Sequence, residues 1–212
     1  MNNTPTVTQS AREMSPARLE AFSDGVLAII ITIMVLELRA PQGAQLAALT
    51  PLVPVFLSYV LSFVYVGIYW NNHHHLFQTT RHVSAKILWS NLHLLFCLSL
   101  FPFATAWMGE NHLAPAPTAV YGVVLLSAAI AYYILQHSIV IQEGRNSLLA
   151  SAVGRDWKGK LSPMIYVAAV PLAFVSPWIA NALYALVALL WLVPDPRIER
   201  ALQRQQRSSN RN

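Results

Sequence analysis

Charged side chains are scarce in this chain of 212 residues, which has 14 Lys and Arg and nine Asp and Glu, 11% of the total. Soluble domains carry about 25% charged residues, because they need a hydrated surface. The shortage excludes a water-soluble globular enzyme, and the 55% hydrophobic content excludes a disordered chain. Cysteine is scarcer still, since Cys97 is alone and can form no disulfide within the chain. An integral membrane protein remains.

Five stretches contain no Asp, Glu, Lys or Arg, and a bilayer-spanning helix needs about 20 such residues. They cover residues 25–36, 40–80, 87–109, 111–142 and 161–194. An all-α, polytopic fold with six transmembrane helices is predicted, over residues 18–38, 50–77, 85–108, 118–141, 163–175 and 177–193, with residues 114–117 as a loop. Ser15 and Pro16 suit the start of the first helix. Pro177 divides the last stretch, because proline disfavours helix in the residue before it. A kinked single helix there, giving five spans, is the alternative.

The basic residues divide sharply between the two sides of such a membrane domain. With six spans, one side carries 13 of the 14 Lys and Arg and the other carries only Arg39. Cytoplasmic loops are enriched in Lys and Arg, so both termini are predicted to be cytoplasmic in a multi-pass plasma-membrane protein. The net charge of +5 thus indicates topology in a lipid bilayer, and no nucleic-acid partner is expected. The predicted organisation is a cytoplasmic segment at residues 1–15, a transmembrane domain at 16–194 and a basic cytoplasmic tail at 195–212.

Asp24 is the clearest ionisable residue within a predicted span, where such residues are costly. It can bind an ion or proton directly. It can also accept hydrogen bonds that tie helices together, with Arg18 or a neighbouring histidine as partner. Its position near the cytoplasmic end of the first helix favours the structural role.

A polar cluster, Trp70-Asn71-Asn72-His73-His74-His75, lies near the cytoplasmic end of the second helix. Zinc ligands on one helix usually lie three or four residues apart, whereas three consecutive histidines point in three directions. No metal site is therefore expected. A buried, fully paired network that sets the register of the helices is favoured, and a pH-sensing histidine within it is a second hypothesis. The side chains expected to converge are Arg18, Ser23, Asp24, Trp70, His73, His74, Asn91 and His93.

Aliphatic residues recur along one face of the first helix, at Val26, Ile29, Ile33 and Leu36. Such a stripe suits lipid contact or helix packing. If several copies of the helix surround an axis, it forms a narrow apolar constriction, which can gate by dewetting. Thr32 is the one polar side chain at mid-depth beside it.

The residues at the start of the first helix carry a family resemblance. Arg18, Phe22, Ser23 and Asp24 form an R-x-x-x-F-S-D pattern that resembles the signature of the transmembrane protein 175 family of potassium channels, in its prokaryotic single-repeat form. Tyr69-Trp70-Asn-Asn-His-His and the segment at residues 91–103 are similar to the family as well. The motifs cover about residues 16–106, and the span count agrees beyond them.

The resemblance implies a homotetramer in which the first helix of each six-helix subunit lines the pore. Family pores lack the T-V-G-Y-G filter, and the short matches to it here, at residues 66–69 and 121–122, lie within predicted helices. Rings of aliphatic side chains constrict family pores from five residues after the signature Asp, which implies Ile29, Ile33 and Leu36 here. Thr32 matches a hydroxyl near the constriction. The family's interhelical network corresponds to the signature positions Arg18, Phe22, Ser23 and Asp24.

The expected function is passive K⁺ flux through a hydrophobic constriction, without catalysis or a cofactor. A proton-permeable channel is the nearest competing hypothesis, because Asp24 and the histidines are titratable. A membrane-embedded enzyme and a purely structural membrane protein are two more distant hypotheses. The residues show no activated nucleophile or metal triad, which disfavours the enzyme.

Overall fold

The computed structural model describes residues 14–144 and 157–192, and every regular element in them is helical. The elements are α1 (Pro16–Leu36), a short 3-10 helix (Leu46–Leu52), α2 (Val53–Gln78), α3 (Ala85–Ser99), α4 (Phe101–Glu110), α5 (Pro115–Glu143), α6 (Trp157–Val175) and α7 (Pro177–Leu192). The predicted segment at 1–15, except its last two residues, and the predicted tail at 195–212 lie outside the described residues. So does most of the basic loop between α5 and α6.

α1 begins as the sequence predicts. The backbone N–H of Arg18 donates to the Ser15 hydroxyl at 3.4 Å, and Pro16 occupies the first turn, where its missing N–H costs nothing. The helix has 21 residues, about 31 Å at 1.5 Å per residue, which is the thickness of a bilayer core.

The predicted third helix is divided into α3 and α4 at Leu100. Pro102 is the physical reason, because proline has no N–H to donate and its ring crowds the preceding turn. The two helices still form one apolar span, Ala85–Glu110.

The predicted loop at 114–117 is wrong in part, because α5 already begins at Pro115. Proline suits the first turn of a helix, so Pro115 and Pro117 start the helix and do not delay it. The reversal before it is short and uses His112 and Leu113 in left-handed conformations, with φ of 50° and 60°.

The last charge-free stretch forms two helices, so six spans are confirmed and the five-span alternative is not. The indole Nε1 of Trp191, near the end of α7, donates to the hydroxyl of Ser162, near the start of α6, at 2.9 Å. Residues 29 positions apart can meet in this way only if α7 folds back along α6. α6 begins six residues earlier than predicted, so Pro163 and Pro171 lie inside it.

Four helical segments among the described residues are long and apolar enough to cross a membrane, and α7 is a shorter apolar helix. The spans alternate in direction across the membrane, and the side on which α1 starts is called the N-terminal side. α3 and α6 also start on this side, and α2, α5 and α7 end on it. The contact of Arg81, between α2 and α3, with Glu143 at the end of α5 agrees with this arrangement: the Arg81 backbone N–H donates to Glu143 Oε1 at 2.8 Å.

Paired hydroxyl groups and small residues hold the middle of the bundle together. Ser62 lies 2.6 Å from the hydroxyl of Thr105 and 2.9 Å from that of Tyr121, linking α2 to α4 and α5. Gly122 of α5 lies against the Tyr184 ring of α7, where a Cβ would clash with the tyrosine hydroxyl. Membrane helices lack a hydrophobic driving force toward each other, so such hydrogen bonds and close approaches determine their packing.

Candidate functional site: the N-terminal half of α1

Three helices meet at a buried polar chain on the N-terminal side. Asn91 of α3 donates from Nδ2 to the hydroxyl of Ser23 on α1 at 2.9 Å, and its Oδ1 lies 2.8 Å from Nε2 of His73 on α2. Ser23 donates in turn to the carbonyl of Leu19 at 2.9 Å. All three polar side chains are buried. The structure thus brings Ser23, His73 and Asn91 together.

The direction of these bonds determines the protonation pattern of His73. The Ser23 hydrogen is used on Leu19, so Ser23 accepts from Asn91, whose remaining Oδ1 must accept from His73. The hydrogen of His73 therefore lies on Nε2. Its Nδ1 is buried without a hydrogen-bond partner among the described residues, as a bare lone pair in neutral imidazole, and the ring stacks on Phe77 with 4.5 Å between centroids.

Asp24 has a partner other than those predicted. Its Oδ1 accepts a hydrogen bond from the indole Nε1 of Trp70 on α2 at 3.1 Å, and among the described residues neither Arg18 nor a histidine forms an ion pair with it. The Trp70 ring stacks on His74, one turn further along α2, with 6.3 Å between centroids. An indole is a neutral donor, so the contact between Asp24 and Trp70 is a hydrogen bond and not an ion pair.

His74 pairs with a residue that sequence reasoning missed. Its Nδ1 lies 2.6 Å from Oε1 of Glu20 on α1, and its Nε2 lies 2.8 Å from Nε2 of Gln78. Glu20 stands one helical turn before Asp24 on α1, and His74 stands one turn after Trp70, the partner of Asp24, on α2. These matched four-residue spacings on α1 and α2 are the signal in the sequence that points to the pair.

Two of the residues expected to converge, Arg18 and His93, lie elsewhere, as does Phe22 of the family signature. His93 is exposed on α3 because it is two residues from Asn91, about 200° around a helix, and so points away from the cluster. Arg18 and Phe22 are exposed as well. Their spacing to Ile29, by eleven and seven residues, places them on the same exposed face of α1 as the aliphatic stripe.

α1 has two faces of opposite environment. Leu27, Ile30 and Met34 are 2%, 3% and 1% exposed, packed against the rest of the subunit. The stripe residues Ile29, Ile33 and Leu36 are 58%, 43% and 78% exposed. Beside them the exposed Thr32 hydroxyl donates to the carbonyl of Ile29 at 2.9 Å.

The three consecutive histidines have separate environments. His73 contacts Asn91, His74 contacts Glu20, and His75 has a buried Nδ1 without a hydrogen-bond partner. Within residues 14–144 and 157–192, no three His, Cys, Asp or Glu side chains gather to hold a metal ion. The chemistry available at this end of α1 is therefore hydrogen bonding and charge.

Comparison with known proteins identifies the family. The family model for the endosomal/lysosomal potassium channel TMEM175 matches residues 18–102. A potassium channel of Chryseobacterium sp. (strain P1-3) is 56% identical over 190 residues, which cover 90% of this chain and 99% of that protein. The bovine endosomal/lysosomal proton channel TMEM175 is 38% identical over 96 residues, 39% of this chain and 20% of the bovine protein.

A solved structure agrees with the fold. The crystal structure of a lysosomal potassium-selective channel TMEM175 homologue from Chamaesiphon minutus superimposes with a TM-score of 0.75 at 28% identity, over 84% of this chain and 96% of that one. The relatives are ion channels and not enzymes. The expected resemblance is confirmed: this chain is an all-helical, multi-pass membrane protein that belongs to the TMEM175 family of ion channels.

Proposed function

We propose that this protein is a K⁺-permeable channel of the plasma membrane, assembled as a homotetramer with α1 of each subunit lining the pore. The observation that carries the proposal is the two-faced α1, whose buried face packs on its own subunit while the aliphatic stripe of Ile29, Ile33 and Leu36 remains exposed. Four copies of that stripe around one axis form a hydrophobic constriction. The Chryseobacterium relative, a potassium channel over nearly the same length, supports K⁺ as the permeant ion.

Ile29, Ile33 and Leu36 form the successive rings of this constriction, and Ile29 is the narrowest. A pore of aliphatic side chains passes ions only when it is wide enough to be wetted, so rotation or expansion of α1 opens it. Because no carbonyl cage replaces the hydration shell, selectivity for K⁺ over Na⁺ rests on the easier dehydration of the larger ion and is weak. The Thr32 hydrogen is used on the Ile29 carbonyl, which leaves the oxygen lone pairs for a passing cation.

Two of the four signature residues hold α1 in place. Ser23 and Asp24 attach it to α3 and α2 through Asn91 and Trp70, close to the N-terminal side, which we assign to the cytoplasm. In this proposal residues 16–194 are the channel domain, and the segments at 1–15 and 195–212 lie in the cytoplasm.

The substitution Ile29→Asn tests the pore assignment. A polar ring holds water at the narrowest point, so we expect faster K⁺ flux and lower K⁺-over-Na⁺ selectivity in proteoliposomes. Val35→Asn is the matched control: it adds the same amide to an exposed position of α1, about 120° away from the stripe, and is expected to leave flux unchanged.

Flux through Ile29→Asn equal to that of the wild type would contradict the pore assignment. The native mass of the purified protein, expected at four subunits, tests the assembly separately. A dimer would contradict the four-fold pore even if K⁺ passes.

Proton permeation is the second candidate, because the bovine relative is a proton channel and three titratable residues, Glu20 and Asp24 of α1 and His74 of α2, lie at the N-terminal side. The titratable residues do not continue through the aliphatic stripe. A pH-sensitive dye inside proteoliposomes, followed with and without K⁺, separates the two functions. Acidification that needs K⁺ counterflow and an added protonophore supports K⁺ permeation, whereas acidification without a protonophore supports a proton pathway.

A further inference from the structure

A cavity opens between α2, α5, α6 and α7, away from α1 and its proposed pore. Six of the 13 residues that line it are aromatic, and the cavity is partly open to the surface. The residues that define it are Tyr65, Tyr69, Tyr132, Tyr166, Trp191 and Lys160.

Several polar atoms of these walls are already hydrogen-bonded within the protein. Tyr166 donates to the Tyr65 hydroxyl at 3.2 Å, and Tyr65 donates to the carbonyl of Tyr184 at 2.7 Å. Trp191 donates to Ser162 at 2.9 Å, and Tyr132 to the carbonyl of Asn72 at 3.3 Å. The interior therefore offers ring faces and suits an apolar occupant.

The mouth of the cavity is polar and basic, in contrast to the interior. Lys160 lies at its rim in the first turn of α6, on the N-terminal side, and is exposed; the residues lining the cavity include no Asp or Glu among those the structure describes. Tyr166 lies six residues deeper on the same helix, about 9 Å along its axis. The cavity thus has a cation at headgroup depth and aromatic side chains nearer the middle of the membrane.

We propose that this cavity binds an anionic phospholipid from the leaflet on the N-terminal side, with one acyl chain among the aromatic rings and the phosphate at Lys160. Charge complementarity selects an anionic over a zwitterionic headgroup, since basic pockets between transmembrane helices bind such headgroups. The binding joins α6 and α7 to α2, so the lipid stabilises the outer part of the subunit. The proposal does not depend on which ion permeates.

Native mass spectrometry of the purified full-length protein tests the headgroup. Phosphatidylglycerol and phosphatidylcholine with identical chains are added to the wild type, Lys160→Gln and Lys86→Gln. Lys86 is the matched control, because it is an exposed lysine on the same side that does not line the cavity. We expect the wild type to prefer phosphatidylglycerol and Lys160→Gln to bind it about fivefold more weakly, the weight of one basic residue near the membrane surface.

Photolabelling tests where the acyl chain lies. Phosphatidylglycerol with a photoreactive group in one chain is expected to label Tyr166 or Trp191, and Ala129→Phe, which fills the cavity, is expected to remove that label.

Equal weakening of phosphatidylglycerol binding by Lys160→Gln and Lys86→Gln, or no preference for phosphatidylglycerol in the wild type, would overturn the headgroup assignment. Labels only on outward residues such as Trp89 and Phe96 would overturn the site. If Ala129→Phe fails to fold, two measurements still test the proposal: lipid binding by Lys160→Gln, which changes an exposed residue, and the position of the photolabel in the wild type.

Discussion

The Asn91 amide uses both its ends, accepting from His73 of α2 and donating to Ser23 of α1 from a position on α3. No shorter or purely apolar side chain can make both bonds at that point. Because the three groups are buried, an unmatched partner has no water to replace it. One residue thus links three helices and helps to set their relative rotation, which the pore-lining role that we propose for α1 requires.

We predict that Asn91→Ala destabilises the protein by about 0.5–2 kcal/mol, since it leaves the His73 Nε2–H buried without an acceptor. The measurement is the midpoint of thermal unfolding in detergent. His93→Ala on the same helix is the control, because His93 is exposed and is expected to change the stability by less than about 0.5 kcal/mol. Equal losses of stability from the two substitutions would show that the hydrogen bonds of Asn91 contribute no more than an exposed side chain does.

At the scale of the helix, a glycine can determine how closely two helices approach, because it has no side chain. Gly67 and Gly122 both interrupt apolar helices, and the two look alike in the sequence. In the structure a Cβ at 67 would meet nothing within 4 Å, whereas one at 122 would meet the Tyr184 hydroxyl, and Val170 at 3.0 Å. Gly122 therefore allows α5 to approach α6 and α7 closely.

Gly122→Ala is expected to destabilise the protein by about 1–3 kcal/mol, because the added methyl forces Tyr184 away and breaks its bond to the Thr118 carbonyl. Gly67→Ala is the matched control and is expected to be neutral or to stabilise by up to about 1 kcal/mol through helix propensity. Thermal unfolding of both variants provides the comparison. Adding Tyr184→Phe to Gly122→Ala removes the clashing hydroxyl and should recover part of the loss; no recovery would place the strain elsewhere.

At the scale of the whole molecule, the placement of charge determines orientation. Among the described residues, five of the six Lys and Arg, all except Arg39, lie on the N-terminal side when the six spans alternate across the membrane. Retaining such an excess in the cytoplasm is the ordinary behaviour of membrane insertion, which is why we assign both termini to that side.

Cysteine labelling tests this orientation, because the chain has only the buried Cys97 to remove first. In a Cys97→Ala background, we expect Arg81→Cys, between α2 and α3, to react with a membrane-impermeant maleimide only after the cells are opened. Gln42→Cys, between α1 and α2, is expected to react with intact cells. The reverse pattern would contradict the assigned topology.

Much of the fold was predictable because a charged residue in a bilayer core is costly, so charge-free stretches must coincide with the spans. The ends of the helices were harder. Proline can start a helix, as Pro115 does, or divide one, as near Pro102, and local sequence does not separate these outcomes. The positions of His73 and Asn91 at similar depths predicted their meeting, but depth alone could not show that His93 points the other way.

The family and the charge-free stretches that form the spans follow from the amino-acid sequence alone, because they depend on which residue types lie together along the chain. The choice of six spans over five, and which face of α1 is exposed, were decided by the tertiary structure. The partners depend on the packed bundle: Trp70 for Asp24, Glu20 for His74, and the aromatic cavity beside Lys160. The physical reason is that hydrogen bonds act over about 3 Å, so the rotation of each helix selects among several chemically suitable partners at the same depth. That rotation is a property of the whole bundle and of no single helix.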